Sequence, residues 1–369
     1  MKRLVPIALV ALAAAALAIW WQSSRDFDWR LPANMPRPEV PADNPMTAVK
    51  VELGRRLFYD TRLSVNGTTA CASCHIQALA FTDGRPRSVG ATGQFHPRSA
   101  MSLVNTAYAS RLTWANHLVD RLEDQALTPL FGDDPVEMGL AGRERQLTEM
   151  LRSDDLYSEM LPKAFPADAD PYSVVNTVRA IAAFVRSIVS FESPYDAYLR
   201  GDFDALSDSA ERGMELFFSE RLECFHCHGG FNFTDSTTHE NANVERVGYH
   251  NNGLYNLDGN GAYPADNTGL YDMTGNRRDM GRFKAPTLRN IALTAPYMHD
   301  GSLPTLDAVI DHYAAGGSGD GRYSPFKSQF VRGFELDEQE RADLLAFLES
   351  LTDERVVNEV RWSDPFSSP

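Results

Sequence analysis

Cysteine is scarce: four residues in a chain of 369. Basic residues are also in deficit, with 35 Lys and Arg against 50 Asp and Glu and a formal net charge of −15. That balance excludes nucleic-acid binding, which needs a basic footprint. It leaves room for a basic protein partner drawn in by charge. A hydrophobic content of 43% excludes a disordered chain, and the length suffices for two domains with real cores. One long apolar run occurs, Leu4 to Trp21, behind the basic start Met1-Lys2-Arg3. A basic start followed by an apolar stretch is an export signal. Its 18 residues also reach the lower limit for a membrane-spanning helix. Two readings stay open for residues 1–25: a signal peptide cleaved near Ala16-Leu17-Ala18, or an uncleaved anchor in the inner membrane. Both place the rest of the chain outside the cytoplasm, in the periplasm.

The few cysteines of an exported protein ordinarily pair as disulfides. Here the spacing points elsewhere. They fall as Cys71-Ala72-Ser73-Cys74-His75 and Cys224-Phe225-His226-Cys227-His228. Each is C-x-x-C-H, the attachment motif of c-type haem. Two thiols add to the two vinyl groups on one porphyrin edge, and the following histidine becomes the proximal iron ligand. Two disulfides, or a zinc site, would leave His75 and His228 unexplained. The expectation is two covalent haems, on Cys71, Cys74 and His75 and on Cys224, Cys227 and His228.

Both motifs sit inside an internal repeat. GRRLFYDTRL (54–63) precedes the first and GMELFFSERL (213–222) the second. Phe81-Thr82-Asp83 and Phe233-Thr234-Asp235 follow them. The spacing predicts helices over Ser173 to Ser190 and Glu338 to Leu351, where apolar residues recur at helical period. The expected fold is mainly α: two cytochrome c-like haem domains related by duplication, with long loops. The polar stretch YLRGDFDALSDSAERG marks the boundary. The division is then 26–200 for the N-terminal domain and 201–369 for the C-terminal one. Loops surround Asp133 and run from His239 to Arg282. The second is too long for a simple connection, so it is expected to cover a haem or meet a partner.

The sixth iron position sets a haem's role. In ALTAPYMHDGSLPTLDAVIDHY (292–313), five side chains have metal-binding atoms: Tyr297, Met298, His299, His312 and Tyr313. The spacing predicts a helix from Pro304, since proline suits a first turn and Gly316-Gly317 ends it. Leu306, Val309, Ile310 and Tyr313 then share one face, and His312 turns towards water with Asp307 and Asp311. Spacing alone leaves Tyr313 as either a haem ligand or a core tyrosine.

With these residues in hand, the chain resembles the bacterial dihaem cytochrome c peroxidase/MauG superfamily from about Pro38 to Leu351. Besides the two haem motifs, GRFKAPTLRNIALTAPYMHDGSLPTL (281–306) and LEDQALTPLFGDDPVEMG (122–139) carry the likeness. The closer similarity is to MauG-like enzymes of the methanobactin-associated type. That resemblance implies Tyr313 as distal ligand of the C-terminal haem, where the peroxidases place methionine. It implies Trp114 as the relay between the haems, and Gln125 and Glu137, with Pro129 beside them, as the peroxide pocket. It also implies a calcium ion between the haems, held by the carbonyls of Thr294 and Pro296. Ser99 stands where the family places a calcium-ligating asparagine. WANHLVDR departs from the family's Trp-Asp-Gly-Arg. His96 lies roughly where peroxidases carry a removable ligand, but its flanks differ. Neither it nor His117 is expected to bind iron, and Met298 and His299 are expected to be bystanders in a loop.

The implied activity is oxidation driven by hydrogen peroxide. A bis-Fe(IV)-type state would be discharged into an aromatic residue, tryptophan first, of a periplasmic, copper-binding partner protein. Glu137 would move the proton that O–O cleavage needs. An anionic phenolate at 313 lowers the haem potential, whereas a thioether raises it. The alternative is a cytochrome c peroxidase that reduces peroxide with electrons from a small cytochrome or cupredoxin. Gln125 and Glu137 disfavour a third reading, a dihaem electron carrier without catalysis.

Overall fold

A computed structural model describes residues 27–367. The signal or anchor segment lies outside the described residues. Among the described residues, no helix is long and apolar enough to cross a membrane. The structure is mostly helical, and the only strand pair described, β1 (Tyr249–His250) and β2 (Phe283–Lys284), is antiparallel with Tyr249 opposite Lys284.

Two units repeat one plan. In the first, α1 (Ala48–Tyr59) leads to the one-turn helix α2 (Cys71–Cys74), and α3 (Val174–Arg186) crosses α1. In the second, α4 (Asp208–Phe217) leads to α5 (Phe225–His228). There α6 (Leu306–Ala314) precedes α7 (Glu338–Glu349), which crosses α4. Side-chain caps start these helices where the sequence offers them: Thr47 for α1, Ser173 for α3, Ser207 for α4, Thr305 for α6 and Asp337 for α7. Helix α6 therefore begins two residues later than the spacing at Pro304 predicts, because Thr305 takes the cap.

Each crossing is built on a glycine and two phenylalanines. Gly54 lies against the carbonyl of Ala180, and Gly213 against that of Asp343; an added Cβ would collide with either. One helical turn on, Phe58 meets Phe184 with ring centroids 5.1 Å apart, and Phe217 meets Phe347 at 5.2 Å. The third ring is Phe81 in one unit and Phe233 in the other, at 6.3 and 6.0 Å from the α1 and α4 phenylalanines. The sequence repeat is thus a repeat of packing.

The two cores do not divide at residue 200. Tyr195 packs edge-on against Phe233 and Phe347 in the second core. After α7 the chain returns to the first unit, where Val356 and Trp362 are buried. Gln77 Nε2 donates to the carbonyls of Val356 and Glu359, both at 3.0 Å, and Tyr59 Oη donates to that of Trp362 at 2.8 Å. The division expected at 200/201 needs this correction: the last residues belong to the N-terminal core. Trp362 is among the most buried side chains.

Buried polar contacts join the units. Asn105 Nδ2 donates to Asn232 Oδ1 at 3.1 Å, and within the second unit Arg289 pairs with Asp196 of the Tyr195 segment at 2.8 Å with both side chains 1% exposed. Such charges are retained only when fully partnered, and Arg289 also donates to the carbonyl of Phe231.

Candidate active site

The two haem motifs fold alike. In the first, His75 Nδ1 lies 2.9 Å from the carbonyl oxygen of Phe81; in the second, His228 Nδ1 lies 3.1 Å from that of Phe233. Both phenylalanines adopt left-handed backbone, with φ of 62° and 49°, which aims each carbonyl back at the ring. A histidine that donates through Nδ1 keeps the Nε2 lone pair for a metal. Burial holds both imidazoles below their usual pKa and hence neutral, as iron ligation requires. All four cysteines are unpaired. Burial, with Cys74 beside it, pushes the Cys71 thiol up to about 12; burial alone dominates the rise of Cys224 to about 12.

Gln125, Pro129 and Glu137 lie on neighbouring segments of the first unit. Gln125 ends the short helix Leu122–Gln125, and Pro129 lies in the next, Leu127–Phe131. Glu123 pins this corner, paired with Arg186 of α3 at 2.9 Å and accepting from Asn44 at 2.6 Å. The Met138 amide donates to the Pro129 carbonyl and the Leu140 amide to that of Leu130, both at 2.9 Å. These bonds hold Glu137 beside the helix. Its carboxyl has no hydrogen-bond partner, and burial alone raises its pKa to about 7. Its charge reaches both Cys71 and Cys74, so it faces the haem cradle. Gln125 Oε1 is likewise buried without a partner.

In the second unit, Cys224, Cys227, His228 and Tyr313 line one large, mainly apolar cavity. Burial raises the Tyr313 phenol, and the Cys227 thiol adds to the effect. His312 does not turn to water. It is 4% exposed, with Nδ1 2.8 Å from Ser318 Oγ and Nε2 3.1 Å from the carbonyl of Asn252. The 239–282 loop folds over that side of α6, so two of its faces are covered. Nor are Tyr297, Met298 and His299 outside the pocket; all three line this cavity. Tyr297 Oη donates to the Ile291 carbonyl at 3.0 Å, Met298 Sδ accepts from Asn252, and His299 stacks on Phe283 with centroids 3.6 Å apart.

Two residues of this cavity escaped the sequence reading. His250 Nε2 lies 2.6 Å from Asp235 Oδ2; burial opposes its charge, but Asp235 and Cys227 outweigh that and push it up to about 10. Lys284 is buried with no ion-pair partner among the described residues, and burial lowers its pKa to about 8. The repeated Phe-Thr-Asp, which contains Asp235, and the 281–306 stretch, which contains Lys284, marked this wall in the sequence without giving either residue a role.

Trp114 lies between the units. Its indole N–H donates to the Ser99 carbonyl at 3.0 Å, and its own carbonyl accepts from the Lys284 amide at 2.8 Å. The ring lines the second cavity and packs on Ala115, Tyr263 and Phe283. Ser99, Thr294 and Pro296 line the same cavity. The Ser99 hydroxyl donates to the Met298 carbonyl at 3.2 Å and its carbonyl accepts from Trp114. His96 Nδ1 accepts from the Arg98 amide at 3.1 Å, and neither His96 nor His117 lines the cavity.

A profile described as di-haem cytochrome c peroxidase matches residues 48–204, and one described as RoxA-like, cytochrome c-like, matches residues 282–314. The cytochrome-c peroxidase IdrP1 of Denitromonas iodatirespirans is 38% identical over 93% of this chain and 92% of its own. The chain belongs to the dihaem cytochrome c peroxidase/MauG family. It is an oxidoreductase of that family, with the residues for two c-type haems. The methylamine utilization protein MauG of Methylorubrum extorquens is 35% identical over 88% of this chain and 83% of its own. A solved MauG-like protein associated with microbial copper homeostasis is 48% identical, with a TM-score of 0.91, over 93% of this chain and all of that one. The dihaem peroxidase BthA of Burkholderia thailandensis, at 22% identity and a TM-score of 0.67, shares the fold.

Proposed function

We propose that this protein is an exported, periplasmic oxidase that uses hydrogen peroxide to oxidise an aromatic residue, tryptophan first, of a partner protein. When bound, the two haems supply the reduction of peroxide and hold the oxidising equivalents until the partner is oxidised. Cys71, Cys74 and His75 would hold one haem, beside Gln125 and Glu137. Cys224, Cys227 and His228 would hold the other, with Tyr313 in the same cavity as a further candidate ligand.

The residues divide the work. Glu137 takes a proton from the near oxygen of peroxide and returns it to the departing one, for which its pKa of about 7 is suited. Gln125 orients peroxide through its free Oε1, and Pro129 fixes both by holding the Met138 amide. Trp114 carries electrons between the two units. Calcium belongs to the same proposal: Thr294 and Pro296 offer carbonyls, and water supplies what the asparagine's replacement by Ser99 leaves short.

The observation that carries this reading is Tyr313 in the second cavity with both attachment thiols. A Tyr313 phenolate on a bound haem would favour oxidised iron, which suits storage of oxidising power better than acceptance of electrons from a small cytochrome. The likeness to the copper-associated MauG-like protein supports a copper-binding partner. A second reading, removal of peroxide with electrons from a small cytochrome or cupredoxin, is favoured by the 38% identity to IdrP1. Incubation of the holoprotein with peroxide and the product of a neighbouring gene, followed by peptide mass spectrometry, separates the two. Oxygen added to one tryptophan of the partner supports the first; an unmodified partner with rapid consumption of reduced cytochrome c contradicts it.

A further inference from the structure

The loop from His239 to Arg282 is ordered over Trp114 and brings an aromatic series with it. Tyr263 is buried, packs with Phe283 beside Trp114, and its hydroxyl donates to Asn251 Oδ1 at 3.1 Å. Gly281 gives that ring its room, since any Cβ there would strike it. Tyr263 and Phe283 have centroids 6.2 Å apart, and Tyr255 meets Tyr263 edge-on at 5.4 Å. Tyr255 is half-buried and reaches the surface. There its hydroxyl donates to Asp300 Oδ2 at 2.5 Å. The series therefore begins at the relay tryptophan and ends at a phenol with a carboxylate on its proton.

Oxidising a phenol requires loss of its proton, because the radical cation is a very strong acid; a hydrogen-bonded carboxylate accepts it without a search for water. No other aromatic residue described in the cluster has such an acceptor at the surface. The remaining tryptophans of the described chain, Trp29 and Trp362, are buried at 8% and 1% exposure in other clusters.

We propose that Tyr255 is the point where oxidising equivalents leave the protein for the aromatic side chain of a docked partner. One electron passes from Tyr255 through Tyr263 and across Phe283 to oxidised Trp114, while the phenol proton moves to Asp300. The tyrosyl radical then takes an electron from the partner's aromatic residue and recovers its proton from Asp300. Two such transfers balance the reduction of one hydrogen peroxide, with two protons, to two waters. The proposal rests on the reading of partner oxidation and adds the exit residue and the face on which the partner sits.

The test uses the holoprotein with both haems and hydrogen peroxide alone, so the readout does not depend on turnover of a partner. The wild type should show a tyrosyl signal by electron paramagnetic resonance, and the Tyr255 peptide should carry hydroxylation or a dityrosine link. Tyr255→Phe should reduce both by about tenfold or more and lengthen the life of the peroxide-oxidised absorption spectrum. Asp300→Asn should slow radical formation and abolish its solvent isotope effect. Tyr323→Phe, at an exposed tyrosine outside the cluster, should leave the signal in place. A radical and an oxidised peptide unchanged by Tyr255→Phe, with the stored oxidised state still formed, overturn the exit and spare the proposed function. Immediate return of the wild type to its resting spectrum with no protein radical overturns both.

Discussion

Gly54 rests on the carbonyl of Ala180 with no space for a methyl group, and Gly213 stands in the same relation to Asp343. Ordinarily Gly→Ala within a helix stabilises by up to about 1 kcal/mol. Here the sign reverses. Gly54→Ala and Gly213→Ala should each cost about 2–4 kcal/mol through overpacking, read as a lower midpoint in denaturant unfolding of the holoprotein. Equal or greater stability would show that the helices do not cross as described.

Glu137 links activity and stability to pH with opposite signs. Its carboxyl is raised from 4.5 to about 7 by burial, so the folded protein holds a proton that the unfolded chain has released between those values. Stability from this group therefore falls as pH rises through that window. Glu137→Gln should be more stable than wild type above about pH 7, by at most on the order of 3 kcal/mol. Reaction with peroxide needs the ionised carboxylate. The wild-type rate should rise with pH through about 7, whereas Glu137→Gln should be slower by roughly 10²–10⁴ and flat there. Stopped-flow mixing across pH checks the rates, and calorimetry the stability.

Trp114→Phe keeps the packing on Tyr263 and Phe283 but removes the indole donor to Ser99. Peroxide should still react at the first unit, while electron exchange with the second slows by at least about tenfold, equivalent to about 1.4 kcal/mol of barrier. Freeze-quench spectroscopy of the two haems measures this. An unchanged exchange rate would remove Trp114 from the route.

The chemistry legible in the sequence was local. C-x-x-C-H is a covalent requirement spanning five residues, and helical spacing put Tyr313 on the apolar face of α6, where the resemblance implied a ligand. What escaped depended on distant segments. His312 reads as a polar-face residue, yet Asn252 of the 239–282 loop and Ser318, just beyond α6, cover it. Trp362 and Val356 lie far along the chain from the core they fill, and no periodicity joins them to Gln77 or Tyr59. Lys284 and His250 come together only because two strands pair within a loop that lacks a repeat pattern. The 26–200 and 201–369 boundary failed at both ends for the same reason: burial ignores sequence order.

The central claim is that tyrosine at 313 makes the second haem a store of oxidising power. One measurement tests it most directly: the visible and near-infrared spectrum of the diferric holoprotein after one equivalent of hydrogen peroxide, for wild type and Tyr313→Met. The wild type should hold an oxidised state for minutes with a near-infrared absorption band, and Tyr313→Met should lose it and show a raised midpoint potential at the second haem. An oxidised state of the same lifetime and spectrum in both proteins would contradict the account.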